Sequence, residues 1–225
     1  MQKVSVFDIW GAAWDRFNKK WYLGPLLILL NTIVSLIPVI GLLYMLLLPT
    51  IYPAYGLGIW KNQENSSLKD AFPSNVFIYI KVLLGIAIVF LITLAYVFIA
   101  DRISSTPILL ELIEGNLSYT LEELLISLIP LIFIFLLSQA VAIILTFFYP
   151  YFVIDKNAEV FSALRDSVNL AVKNLGKVIL FSIIAFLVNL LGILMVGLGL
   201  LLTLPLTHVA AAGLYASLLE KEYAT

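Results

Sequence analysis

Polar and apolar positions divide this chain into amphipathic stretches that carry much of its charge and long apolar runs that carry almost none. Between Ser5 and Trp21 the aromatic residues Phe7, Trp10, Trp14, Phe17 and Trp21 recur at alternating steps of three and four. That period places five rings on one helical face, with Asp8, Asp15, Arg16 and Lys19 elsewhere. Ser5 and Asp8 stand at capping-box spacing at its start. Because Trp favours the boundary between headgroups and hydrocarbon, the pattern predicts a helix over 6–20 lying in the membrane plane. The same stripe is also suited to packing on the protein's own helices, and the two readings are compatible.

Two apolar runs follow, 21–37 and 42–60, separated by a turn at Pro38 and Gly41, the second run interrupted by Pro49 and Pro53. After a polar connection over 61–75, residues 76–100 form a long span with Lys81 near enough to its start to snorkel outward. The connection 101–119 is mainly acidic, and Thr106-Pro107 predicts a short surface helix ending at Gly115-Asn116. Thr120 and Glu123 stand as a second capping box before a helix that Pro130 kinks or brings into the membrane, and that runs to Tyr149-Pro150. A second amphipathic segment covers 158–174, with Phe161, Leu164, Val168 and Leu175 on one face and Ser162, Arg165, Asp166, Asn169 and Lys173 on the other. Residues 178–195 and 198–219 form the last hairpin, with Gly192, Gly197 and Gly199 at its turn.

The beginning and the end of the chain say much the same thing. Placing Gly41 on Gly197 puts Pro49 on Pro205 and Asn18 on Asn174 without a gap. The expected architecture is an all-α integral membrane protein of six transmembrane helices in three hairpins, plus two amphipathic interfacial helices. It forms one polytopic domain over 1–225, composed of repeat A (4–60), a middle hairpin (76–149) and repeat B (158–220).

Composition agrees: 62% of residues are hydrophobic and 12% charged, with a mean hydropathy of +1.07. The net charge of −1 decides little, but the placement of charges does. With six spans, 12 of the 13 Lys and Arg residues fall on one side and only Arg102 on the other. The positive-inside rule then makes both termini cytoplasmic. The two spanning copies therefore enter from the same side, as parallel repeats. The first twenty residues contain Asp8, Asp15, Arg16, Lys19 and Lys20 and lack a small-residue cleavage site, so they are expected to remain in the mature protein. The absence of cysteine removes thiol chemistry and disulfides, and a single histidine removes a His-rich metal site.

Candidate chemistry is sparse. No Asp, Glu or Arg falls in the central part of any predicted span, and Walker, metalloprotease and nucleophile-elbow motifs are missing. The expectation is no enzyme and no cofactor, with membrane lipids, a second copy or another membrane protein as partners, and no nucleic acid. Asn116-Leu117-Ser118 is a glycosylation sequon and carries little weight alone. Pro49 and Pro205 are helix breaks near the expected bilayer centre; they read either as broken helices lining a pathway or as kinks shaping a bundle. His208, beside Thr203 and Thr207, reads as a proton relay or as a neutral core histidine. Asn31, Asn189 and Gln139 read as interhelix hydrogen-bonding groups, and Ala54/Gly58 and Ala212/Ala216 as small-residue contacts. Trp10, Trp14, Arg16, Lys19, Lys20, Trp21, Arg165, Lys173 and Lys177 are candidates for headgroup contact.

The run Tyr149-Pro150-Tyr151-Phe152-Val153-Ile154-Asp155, the run Ala163-Leu164-Arg165-Asp166-Ser167, the stretch 192–199, Leu204-Pro205 and 210–215 resemble a group of prokaryotic multipass proteins. That group includes the membrane domain attached to some glycerophosphodiester phosphodiesterases. The resemblance covers about 75 residues and implies about six helices in a prokaryotic plasma membrane. It carries over no catalytic residue. Two functions are compatible with these readings: a non-enzymatic scaffold, assembly factor or accessory subunit touching headgroups, and a small transporter or channel for a neutral or amphiphilic solute with its path between the two copies.

Overall fold

A computed structural model describes residues 5–37, 40–62, 65–103, 121–195 and 197–223. Among them every regular element is a helix: α1 (Val6–Lys19), α2 (Leu23–Ser35), α3 (Ile40–Met45), α4 (Leu48–Lys61), a 3-10 turn (Leu68–Ala71), α5 (Val76–Ile103), α6 (Leu121–Leu145), α7 (Tyr149–Lys156), α8 (Val160–Lys173), α9 (Leu175–Leu194) and α10 (Leu200–Tyr223). Among the described residues four stretches are long and apolar enough to cross a membrane: Val76–Arg102, Leu128–Lys156, Leu175–Leu194 and Leu200–Glu220. The described chain is thus a helical membrane protein by length and composition. Its outer surface is correspondingly apolar, with Ile132, Phe133 and Leu136 of α6 all more than half exposed.

The first hairpin is built differently from two simple spans. Helix α2 has 13 residues, about 20 Å at 1.5 Å per residue. The return is broken into α3 and α4 at Leu46-Leu47. Pro49 sits in the first turn of α4, where its missing N–H would have had no partner, so it starts a helix instead of kinking one. Pro53, Pro130 and Pro205 lie inside α4, α6 and α10. The predicted surface helix over 106–116, the sequon at Asn116 and the Thr120 end of the second capping box lie outside the described residues.

Helix α1 begins as its spacing requires. Ser5 Oγ accepts from the Phe7 amide at 3.2 Å, and Asp8 accepts from the Ser5 amide at 3.0 Å. Its buried row is Val6, Ile9, Ala13 and Phe17. The aromatic stripe divides around that row: Phe17 is buried and Trp10 half-buried, while Phe7, Trp14 and Trp21 face outward, one every seven residues.

Helix α8 starts two residues inside its expected bounds, ends one inside, and buries a face other than the expected one. Val160, Ala163, Ser167, Leu170 and Ala171 are buried, and Phe161 is 75% exposed. Small residues face the protein because α8 closes on the α6–α7 break, where it supplies a hydrogen bond. Ser167 Oγ accepts from the Phe148 amide at 3.1 Å and donates to the Leu145 carbonyl at 3.2 Å, serving backbone groups that the interrupted helix leaves open.

The core is centred on α10, where Ala210, Ala212, Leu214 and Tyr215 are fully buried. Its most extensive partner is α4, and α1, α9 and α2 also pack on it. The closest crossing is at Gly56: a Cβ there would stand 2.2 Å from the His208 carbonyl oxygen. The small-residue contact expected at Ala54/Gly58 is displaced accordingly, since Gly58 makes room for the Asp70 side chain of the 3-10 turn. Gly197, at φ +75°, takes the left-handed turn of the last hairpin.

One end of the bundle is pinned by polar groups. Lys61, ending α4, pairs with Asp155 of α7, whose other oxygen accepts from the Tyr215 hydroxyl at 3.4 Å. Lys81, near the start of α5, reaches Glu159 at 2.7 Å and the Asn157 carbonyl at 3.2 Å. It therefore closes the α7–α8 turn, in which Asn157 is left-handed at φ 49°, while only 17% of its side chain stays exposed. Arg102 lies at the far end of α5.

Candidate functional site

The break before Pro49, the α4–α10 crossing and the α6–α7 break surround a partly open cavity of about 700 Å³. Residues of α3, α4, α5, α6, α7, α9 and α10 line it. None of the lining residues is charged. The walls are mostly aliphatic and aromatic, and the polar groups are Tyr52, Gln139, Thr146, Tyr149, Tyr151, Ser182, Thr207 and His208.

Tyr52 and His208 face each other across the α4–α10 contact with ring centroids 5.0 Å apart and planes 12° from parallel. The alignment that carries Gly41 to Gly197 also carries Tyr52 to His208. Two positions that align in the sequence therefore stack directly on each other. Gly56 makes this possible, because only a residue without Cβ lets α4 approach the His208 backbone so closely.

An asparagine holds the Tyr52 ring from behind, and a second stands behind the residue next to His208. Asn31 donates to the Tyr52 hydroxyl at 3.1 Å and accepts from the Tyr44 hydroxyl at 2.5 Å, joining α2, α3 and α4. Asn189 donates to Thr207 Oγ1 at 3.0 Å, joining α9 to α10 one residue before His208. On the opposite wall Gln139 donates to Thr93 at 2.5 Å and ties α6 to α5. Tyr149 donates to the Lys81 carbonyl, and its ring fills the space beside Gly85. Trp10 stacks on the cavity residue Phe181 at 5.3 Å, which brings α1 to the back of the site.

Of the five residues named for a pathway, Pro49 and His208 line the cavity. Asn31 and Asn189 stand one hydrogen bond behind it. Pro205 does not reach it: it packs against Gly24 of α2, where a Cβ would come within 2.6 Å of its ring. The two prolines that align in sequence thus have different neighbours. Helices α2 and α9 both pack on α10.

Among the headgroup candidates, Trp14 and Trp21 are exposed, as are Lys19, Arg165 and Lys173. Arg16 lies over the Trp60 ring at 4.0 Å, a cation–π contact between α1 and α4 worth about 0.5–2 kcal/mol. Lys20 and Lys177 are half-buried.

Tyr52, Tyr149, Ser182 and Asp155 were not singled out as functional from the sequence. Tyr149 and Asp155 entered only through the resemblance, and the only signal for Tyr52 was its register with His208. Among the described residues no group of His, Asp and Glu could hold a metal ion. No protein-family model, curated protein or solved structure matches the chain.

Proposed function

We propose that this protein binds an amphiphilic molecule inside the membrane, in the cavity where its two copies meet, and acts as a small carrier of that molecule. The supporting observation is an uncharged cavity of about 700 Å³ behind the stacked Tyr52–His208 pair, a size that encloses a drug-sized or single-chain ligand. A bundle serving only as a scaffold has no use for such a space, since close packing is what holds helices together in lipid. The lining offers hydroxyl, amide and imidazole groups but no carboxylate pair, nucleophile–base pair or metal cluster, which favours binding over chemistry.

The rest of the reading follows the sequence. The short α2 and the broken α3–α4 segment act as a fifth and sixth membrane element, giving three hairpins with parallel copies at 4–60 and 158–220. Both termini face the cytoplasm of a prokaryotic plasma membrane. The clustering of Lys61, Lys81, Asp155 and Glu159 at one end, with Arg102 at the other end of α5, supports that orientation. The exposed row Phe7, Trp14 and Trp21 sits at the headgroup boundary. The resemblance to the membrane domain of certain phosphodiesterases supports the location and carries no reaction with it.

Cysteine accessibility tests the reading cleanly, because the chain has no cysteine of its own. Single cysteines at Pro49, Tyr52, Thr207, His208 and Ala211 should react with small water-soluble thiol reagents. Cysteines at the buried positions Thr50, Ile51, Val209 and Ala210 should stay protected. Uniform protection of both stretches would rule out a solute path between the copies.

A further inference from the structure

We infer that the ligand of this cavity is an uncharged single-chain amphiphile whose head accepts a hydrogen bond from the Tyr52 hydroxyl. The inference rests on the binding role proposed above and deepens it by naming the class of molecule.

The hydrogen-bonding capacity of the lining decides the head. Thr207 Oγ1 donates to the Thr203 carbonyl at 2.8 Å and accepts from Asn189. Ser182 and Thr146 donate back to the carbonyls of Val178 and Ala142 at 2.9 and 2.7 Å. Tyr149 gives its proton to Lys81, and Gln139 gives one amide proton to Thr93. The hydroxyl protons of Thr207, Ser182, Thr146 and Tyr149 are therefore committed to the protein, while Gln139 keeps a second amide proton. Tyr52 differs from those four hydroxyls: its oxygen accepts from Asn31, which leaves its own proton to donate. Tyr52 also lines the cavity, beside the His208 ring. A carbonyl, ether or hydroxyl oxygen of a ligand meets that donor.

The same lining excludes a charged head. Among the described residues no Lys, Arg, Asp or Glu lines the cavity to pair with one, and an ion moved there from headgroup water would lose its solvation without a counter-charge. The body of the ligand follows from the opposite walls. Ile86, Val89, Phe90, Ile143 and Phe147 form an apolar slot suited to one aliphatic chain.

Photolabelling of the full chain in phosphatidylcholine nanodiscs tests this. Three probes share one diazirine-bearing sixteen-carbon chain and differ only in the head: an alcohol, a sulfonate or a trimethylammonium. The alcohol should label peptides of α4, α6 and α10 at cavity positions at least tenfold more than either ion, and unlabelled hexadecanol should compete. Tyr52→Phe keeps the stacked ring, and Asn31 keeps its bond to Tyr44, so the fold should survive while alcohol labelling falls about tenfold. Ala142→Phe, which fills the slot, should remove labelling by every probe.

Equal or stronger cavity labelling by either ion would overturn the uncharged-ligand assignment and leave the binding cavity standing. Unchanged alcohol labelling in a folded Tyr52→Phe protein would overturn the role given to Tyr52. Absence of cavity labelling by all three probes would defeat the inference and the proposed function together.

Discussion

At the scale of single residues, room decides more than polarity. Gly56 and Gly11 both lie inside helices, yet their surroundings are opposite. A Cβ at Gly56 meets the His208 backbone, whereas one at Gly11 meets nothing within 4 Å. Gly56→Ala must push α4 off α10 and should cost about 1–3 kcal/mol. Gly11→Ala should leave stability unchanged or raise it by about 0.5–1 kcal/mol, since alanine has less backbone freedom to lose in a helix. Thermal unfolding of the two variants in mild detergent distinguishes them, and equal melting temperatures would contradict the crossing at Gly56. Nothing in the local sequence separates these glycines. What differs is a carbonyl contributed from residue 208.

At the scale of elements, the breaks are where helices borrow bonds from each other. The α6–α7 break leaves backbone groups that Ser167 serves from α8, a fully buried hydroxyl with no exposed surface. Ser167→Ala leaves the Phe148 amide without that partner and should cost about 1–3 kcal/mol. Ser162→Ala, on the exposed side of the same helix, should stay within about 0.5 kcal/mol. Hydrogen exchange should report the difference locally, as faster exchange at Phe148 in the first variant only. The existence of α8 was legible from its 3.6-residue period, but its buried face was not. The period marked Phe161 and Leu164, and the fold turned Ala163 and Ser167 inward because a close approach and a hydrogen bond were needed there.

At the scale of the whole molecule, the two ends and the midplane divide the work. The Lys61–Asp155 and Lys81–Glu159 pairs join α4 and α5 to α7 and the α7–α8 turn, although each has one exposed partner and such pairs contribute only about 0–1 kcal/mol. Their value is positional, since they hold the end of the bundle from which the cavity helices descend. Helix α1 closes the back of the site through Trp10 and turns Trp14 and Trp21 outward. Single-tryptophan variants in bilayers with brominated lipid should show strong quenching of Trp14 and Trp21 by bromine placed near the headgroups. Bromine at the chain end should quench them weakly, and Trp10 should be shielded from both. Deep quenching of Trp14 and Trp21 would place α1 inside the hydrocarbon and contradict an interfacial helix.

The amino-acid sequence alone determined that this is a helical membrane protein, where its long apolar helices run and how α1 is capped. Those features depend on contiguous composition and on contacts within a few residues, which a linear reading contains. The tertiary structure alone decided that Pro49 borders the cavity while its sequence partner Pro205 packs on Gly24, and that Tyr52 and His208 stack on each other. In a soluble protein the apolar face of a helix announces which side is buried. Inside a membrane lipid and protein interior are equally apolar, so the face that packs is chosen by shape, small residues and hydrogen-bond partners from distant segments. Those choices bring α4 and α10 together beside an uncharged cavity.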